Sequence, residues 1–177
     1  MEMQAADTKR IYILLTRHLD NFSKLFRLVT LGQNTYTHAS IGMGDSPEYY
    51  SFCTNGFRLE KPFKWKNPKR GATPCALLQL TVSQEVYSEI ECRIRQFMVE
   101  KEHYRYSFLG LMLCLLGFSV KRKNHYFCSQ FVSELLTLSG AARLHKPSPL
   151  YLPDDFTLEP RLKLCYQGSL CQLTQFA

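Results

Sequence analysis

The period of apolar positions changes several times along the chain, and each change marks out an element. "IYILLTR" (Ile11 to Arg17) is a β-branched apolar run of strand length. "DNFSKLFRLVTLG" follows with apolar residues at helical spacing between Asp20, a candidate N-cap, and Gly32, a stop signal, so it predicts a helix. "YTHASIGMG" (Tyr36 to Gly44) alternates small or apolar residues with polar ones, "GDSPE" signals a turn, and "YYSFCT" (Tyr49 to Thr54) is again strand-like. These three pieces predict a β-hairpin.

Turn formers then crowd "NGFRLEKPFKWKNPKRGATP", which predicts an excursion with a short extended piece around Phe57 to Glu60. "CALLQLTVS" (Cys75 to Ser83) predicts a buried strand. Beyond the capping pattern at Ser83, the residues Val86, Ile90, Ile94, Phe97 and Met98 fall on one face of a long amphipathic helix. The most apolar run, Ser107 to Val120, is hydrophobic on all sides and predicts a buried helix; at 14 residues it is shorter than the roughly 20 that span a bilayer. A minority reading makes it a lipid-facing or acyl-binding element. From Phe127, the stripe Phe131, Val132, Leu135, Leu136 and Leu138 predicts another helix, capped near Gly140. The tail from Ala141 is rich in proline and is expected to wrap the surface before a final strand such as "LKLCYQG".

Strands and helices in this order predict an α+β fold in a single domain of residues 1–177, with a core of about 11–156 and a tail at 157–177. The length of 177 residues suffices for one substantial core and is thin for two. The net charge of +7 favours acidic partners, among them an anionic lipid surface. Its basic clusters, Lys61 to Arg70 and Lys121 to Lys123, read as solvated loops, and no nucleic-acid partner is expected.

Seven cysteines, odd in number and without paired ligand spacing, argue against a disulfide scaffold or a metal centre. No metal or other cofactor is expected. Two ligands three residues apart, His125 and Cys128, are too few for a metal site. Unpaired thiols and an N-terminus without an apolar stretch predict a cytoplasmic setting, with no transmembrane segment.

Cys53, Cys75, Cys92 and Cys114 sit within apolar strand or helix patterns and read as core residues; Cys165 and Cys171 lie in the tail without a candidate base. Cys128 differs. In "NHYFCSQFVSELL" it falls in the first turn of a predicted helix, where unpaired amides and the helix dipole favour a thiolate and can also receive an oxyanion. A thiolate nucleophile needs a histidine. His18 and His145 lie in turn-like segments, His103 ends a charged helix, and His125 splays away before the cysteine helix begins. His38 opens a strand among the small neighbours Thr37, Ala39 and Ser40, which leaves room at its ring. A third group usually orients such an imidazole. A two-residue hairpin turn would place Ser51, Cys53 or Asn55 opposite His38; a bulge would change the parity and let Glu60 compete. Ser51 is the first choice.

A histidine on one strand, a polar residue on the next and a cysteine at a later helix start is the papain arrangement in reversed order. The segments "YTHASIGMG", "YYSF", "EHYRYSFLGL", "YFCSQFVSELL" and "LYLPDDF" resemble the permuted papain-like amidase family, the circularly permuted branch of the NlpC-type cysteine peptidases. The resemblance implies a circularly permuted papain-like fold with a small antiparallel sheet against the cysteine-bearing helix. It implies Cys128 as nucleophile and His38 as base, in a hydrolase that cleaves an amide or isopeptide bond through a thioester. A bacterial source and a peptide, isopeptide or acyl substrate follow from the same likeness. A lipid acyltransferase or thioesterase would use the same pair, and a non-catalytic basic binding module would use neither residue.

Overall fold

A computed structural model describes residues 7–17, 35–62 and 73–173. The predicted helix at 20–32, His18 and most of the Lys61 to Arg70 tract lie outside the described residues. The fold is α+β. Six strands form one antiparallel sheet in the order β4-β3-β2-β1-β5-β8. They are β1 (Thr8–Thr16), β2 (His38–Met43), β3 (Tyr49–Cys53), β4 (Gly56–Glu60), β5 (Pro74–Ser83) and β8 (Lys163–Ser169). A separate parallel ribbon joins β6 (Arg105–Tyr106) to β7 (His125–Tyr126). The α-helices are α1 (Gln84–Val99), α2 (Phe108–Leu115), α3 (Cys128–Leu138) and α4 (Leu170–Leu173).

The continuous apolar run of β1 has a direct cause: both of its faces are covered. Ile11, Ile13 and Leu15 face the main core, whereas Leu14 packs with Tyr49, Cys75, Leu170 and Leu173 on the other side. β1 also pairs along both edges, with Thr16 opposite His38 of β2 and Thr8 opposite Ser83 of β5. An apolar strand in the sheet centre loses water from both faces and both edges, which is where β-branched residues are most stabilising.

The main core is organised around Phe52 of β3, which is fully buried. Its ring lies 5.1 Å from Tyr126, 5.3 Å from Phe131, 5.5 Å from Phe57 and 5.9 Å from Phe97. One side chain thus ties β3, β4, α1, β7 and α3 together. Phe52→Ala is expected to cost about 3–5 kcal/mol, because the transfer energy and a cavity between five elements are lost together. Chemical denaturation reads this as a lower midpoint.

The capping signal at Ser83 holds in three dimensions: its hydroxyl accepts the Val86 N–H at the start of α1. Ile90 and Ile94 turn inward. Cys92, read as a core residue, is exposed instead, since it lies off the face that Ile90 and Ile94 bury.

α2 also departs from expectation. The Ser107 to Val120 run is a single eight-residue helix with an irregular end, not an entirely buried one. Gly110, Leu111 and Cys114 face inward onto Phe127, while Phe108, Leu109, Met112 and Leu116 are exposed. Only one layer of protein covers it, and a helix lying at the edge of a small domain can bury only one face.

α3 is buried from Cys128 to Leu136 between β2, β3 and the proline-rich tail. Gly140, at φ 73°, adopts the left-handed conformation after the helix end that glycine reaches without strain. The tail does more than wrap the surface, for Tyr151 and Phe156 are fully buried. Glu159 accepts hydrogen bonds from the His145 N–H, from the His145 ring at 2.6 Å and from the Tyr151 hydroxyl. Asp154 accepts the backbone N–H groups of Thr35 and Tyr36, each at 3.0 Å. That clamp fixes the chain immediately before His38.

Candidate active site

Cys128 is the first residue of α3, and the N-cap residue makes no side-chain capping bond: it is Phe127, extended at φ −104° and ψ 166°. A capping Ser or Asp would have satisfied the first-turn amides. With Phe127 there they stay available to the sulfur and to an incoming oxygen. Phe127 is fully buried against Leu111 and Cys114 of α2, so the backbone enters α3 at a fixed angle.

The sulfur is itself buried, with Cys128 6% exposed. Burial opposes ionisation, but a hydrogen bond and charge from His38 and the backbone N–H groups of Ala39 and Ser129 outweigh it. The thiol is held below its ordinary value of 9.0. Each contact has a separate origin: Ser129 belongs to the helix start, and Ala39 and His38 belong to β2.

His38, the first residue of β2, is 7% exposed. Its Nε2 donates to both carboxylate oxygens of Glu60, at 3.0 and 3.1 Å. That leaves Nδ1 as the ring nitrogen for the sulfur. Burial disfavours a charged ring, yet the Glu60 carboxylate and the Cys128 sulfur prevail and raise the imidazole well above 6.5. A lowered thiol beside a raised imidazole describes a thiolate–imidazolium pair, extended to a carboxylate.

Glu60, the last residue of β4, therefore occupies the orienting position for which Ser51 was the first choice. The side chain of Ser51 is fully buried and donates to the Ala39 carbonyl at 2.6 Å. It braces the strand residue whose N–H meets the sulfur, and leaves the imidazole to Glu60. The hairpin parity was sound as far as it went: Ile41 opposes Tyr50, and the same register extended brings Cys53 to His38. Asn55 is exposed in the turn. Cys53 donates its thiol to Glu60 Oε1 at 3.2 Å, and burial pushes that thiol up to about 12. It stays protonated and helps hold the carboxylate.

Glu60, weighed in the sequence only as a competitor that a bulge would admit, reaches the ring from the end of "GFRLE" with the β2–β3 and β3–β4 registers unbroken. A carboxylate on an interior-facing strand end, only 10% exposed, needs a polar partner, and His38 Nε2 is that partner. Two further polar groups escaped notice. Ser129 Oγ and Gln130 Nε2 are buried next to Cys128 in sequence and have no hydrogen-bond partner among the described residues.

Among the described residues His38 is the histidine that meets Cys128. His125 turns its Nδ1 to the Lys123 carbonyl at 2.8 Å, and His145 is engaged by Glu159. The metal-ligating atoms that do gather are those of His38, Cys53 and Glu60, all within 4.8 Å of one another. Hydrogen bonds already account for that closeness: a thiol proton and a ring proton both point at one carboxylate.

The arrangement favours an ionised sulfur over a neutral thiol, favours a proton on the adjacent imidazole, and can present amides to a developing oxyanion. Compared with models of known protein families and with curated proteins, the chain matches none.

Proposed function

We propose that this chain is a cysteine hydrolase of the permuted papain-like type, cleaving an amide or isopeptide bond through a thioester. The observation that carries the reading is the continuous Cys128–His38–Glu60 chain, buried and charge-ordered.

In the first step the Cys128 thiolate attacks the substrate carbonyl carbon and a C–S bond forms. The carbonyl electron pair moves to oxygen, which the Cys128 N–H at the helix start receives. Gln130 Nε2 is a further buried donor in the same turn. The His38 imidazolium gives its proton to the leaving amine as the C–N bond breaks. In the second step His38, now neutral, takes a proton from water, whose oxygen attacks the thioester carbon and releases the acid and the thiolate. Glu60 holds the ring orientation and stabilises the imidazolium before and after each transfer. Seven free cysteines suit a reducing compartment, and we assign the protein to bacterial cytoplasm on that composition and the family likeness.

A thioesterase or acyltransferase reading rests on the same pair and gains from one observation: the apolar helix α2 packs on Phe127, next to the nucleophile. Intact-mass measurement separates the two. Incubation with a peptide-amide library should leave an acyl adduct on Cys128 with release of amine. A long-chain adduct from acyl thioesters, with none from amides, would replace the amidase by the acyl-transfer reading. No adduct from either library would remove both.

A further inference from the structure

We propose that the outer face of α2, with Arg122 and Lys123, docks the protein in the interfacial layer of an anionic phospholipid bilayer.

Phe108, Leu109, Met112 and Leu116 are 48%, 53%, 48% and 67% exposed. At 100° per residue these four positions fall within a single stripe about 100° wide, opposite the buried Gly110, Leu111 and Cys114. Phe118 and Val120 extend the exposed apolar surface beyond the helix end. A monomeric protein surface rarely gathers so many large side chains at one place unless something covers them.

The charge around the patch selects the occupant. No Asp or Glu lies between Glu102 and Glu134, whereas Lys121, Arg122 and Lys123 follow the apolar run directly. Lys121 is bound to Glu134 at 2.8 Å, which leaves the exposed Arg122 and Lys123 to set the local sign. An apolar stripe whose own segment carries cations and no acid complements acyl chains beneath anionic headgroups. A second copy of the chain would bring basic segments together with no acid in that segment to compensate. An eight-residue helix is only about 12 Å long and lies in the interface, far short of crossing it. Its inner face holds Phe127, so docking would bring Cys128 within about one helix diameter, ~10 Å, of the membrane surface.

The inference is independent of the hydrolase reading, because its test measures binding alone. The full chain is sedimented with vesicles of phosphatidylcholine, and of phosphatidylcholine containing phosphatidylglycerol. Binding is expected to the anionic vesicles, to weaken with salt, and to be minor on the neutral ones. Leu109→Glu with Met112→Glu, both at exposed positions, should abolish it with an unchanged circular dichroism spectrum. Arg122→Ala and Lys123→Ala, which leave the apolar stripe intact, should each weaken it about fivefold. Absence of binding to anionic vesicles, or binding that survives the glutamate pair, would overturn the proposal. So would a concentration-dependent dimer in analytical ultracentrifugation that the glutamate pair dissolves, since the face would then belong to a second copy.

Discussion

Cys128→Ala is expected to lose all measurable turnover and all alkylation at position 128, while its unfolding midpoint stays close to that of the parent. The two halves of this result have different physical origins. Chemistry disappears because alanine carries no nucleophile, and none of the other thiols can substitute. Cys53, Cys75 and Cys114 are each pushed up to about 12 by burial, Cys92, Cys165 and Cys171 are exposed, and the sulfur that His38 bonds is that of Cys128. The fold persists because one small side chain is exchanged for another at a position that the neighbouring Phe127 and Phe131 anchor on either side. Iodoacetamide labelling followed by peptide mapping reads the first half, and thermal melting reads the second. Parent-level labelling of another cysteine, accompanied by parent-level turnover, would remove the assignment.

Glu60→Gln should lower turnover by about tenfold or more and move the alkaline limb of the activity profile to lower pH. The sign follows from the pair. In the parent, the thiolate–imidazolium form exists above the lowered thiol pKa and below the raised imidazole pKa, so the plateau lies between them. The charge of the Glu60 carboxylate is the largest influence that raises the ring; a neutral amide supplies none of that charge. The imidazolium then gives up its proton at lower pH, and the window closes from the alkaline side. A one-unit narrowing corresponds to about 1.4 kcal/mol, or tenfold, at a pH on the old limb. The profile of turnover divided by KM, which reports free enzyme, is the measurement. Ser51→Ala serves as the contrast: its hydroxyl bonds to the Ala39 carbonyl and not to the ring, so that variant should lose stability with its alkaline limb unmoved. If Ser51→Ala moved the limb and Glu60→Gln did not, the roles given to these two residues would be exchanged.

Most elements were legible because their signals are local. The β1 run, the alternation of β2 and β3, the Ser83 cap and the stop at Gly140 each depend on residues only a few positions apart. The placement of Cys128 in the first turn of α3 was legible for the same reason. Misreadings arose where a residue's environment is made by distant segments. The α2 run is as apolar as a buried helix, yet the tertiary arrangement supplies a partner for one face only. Cys92 lies between Ile90 and Ile94 of an apolar stripe in sequence and faces solvent in space.

The sequence by itself determined an α+β chain, a cysteine at a helix start and a histidine at the head of a strand, because periodicity and capping are written within each segment. Only the tertiary structure decided that these two side chains meet, that Glu60 and not Ser51 holds the imidazole, and that α2 turns an apolar face outward. Sulfur and ring are 90 positions apart, and charge pairing acts through distances of a few ångströms that no spacing along the chain encodes.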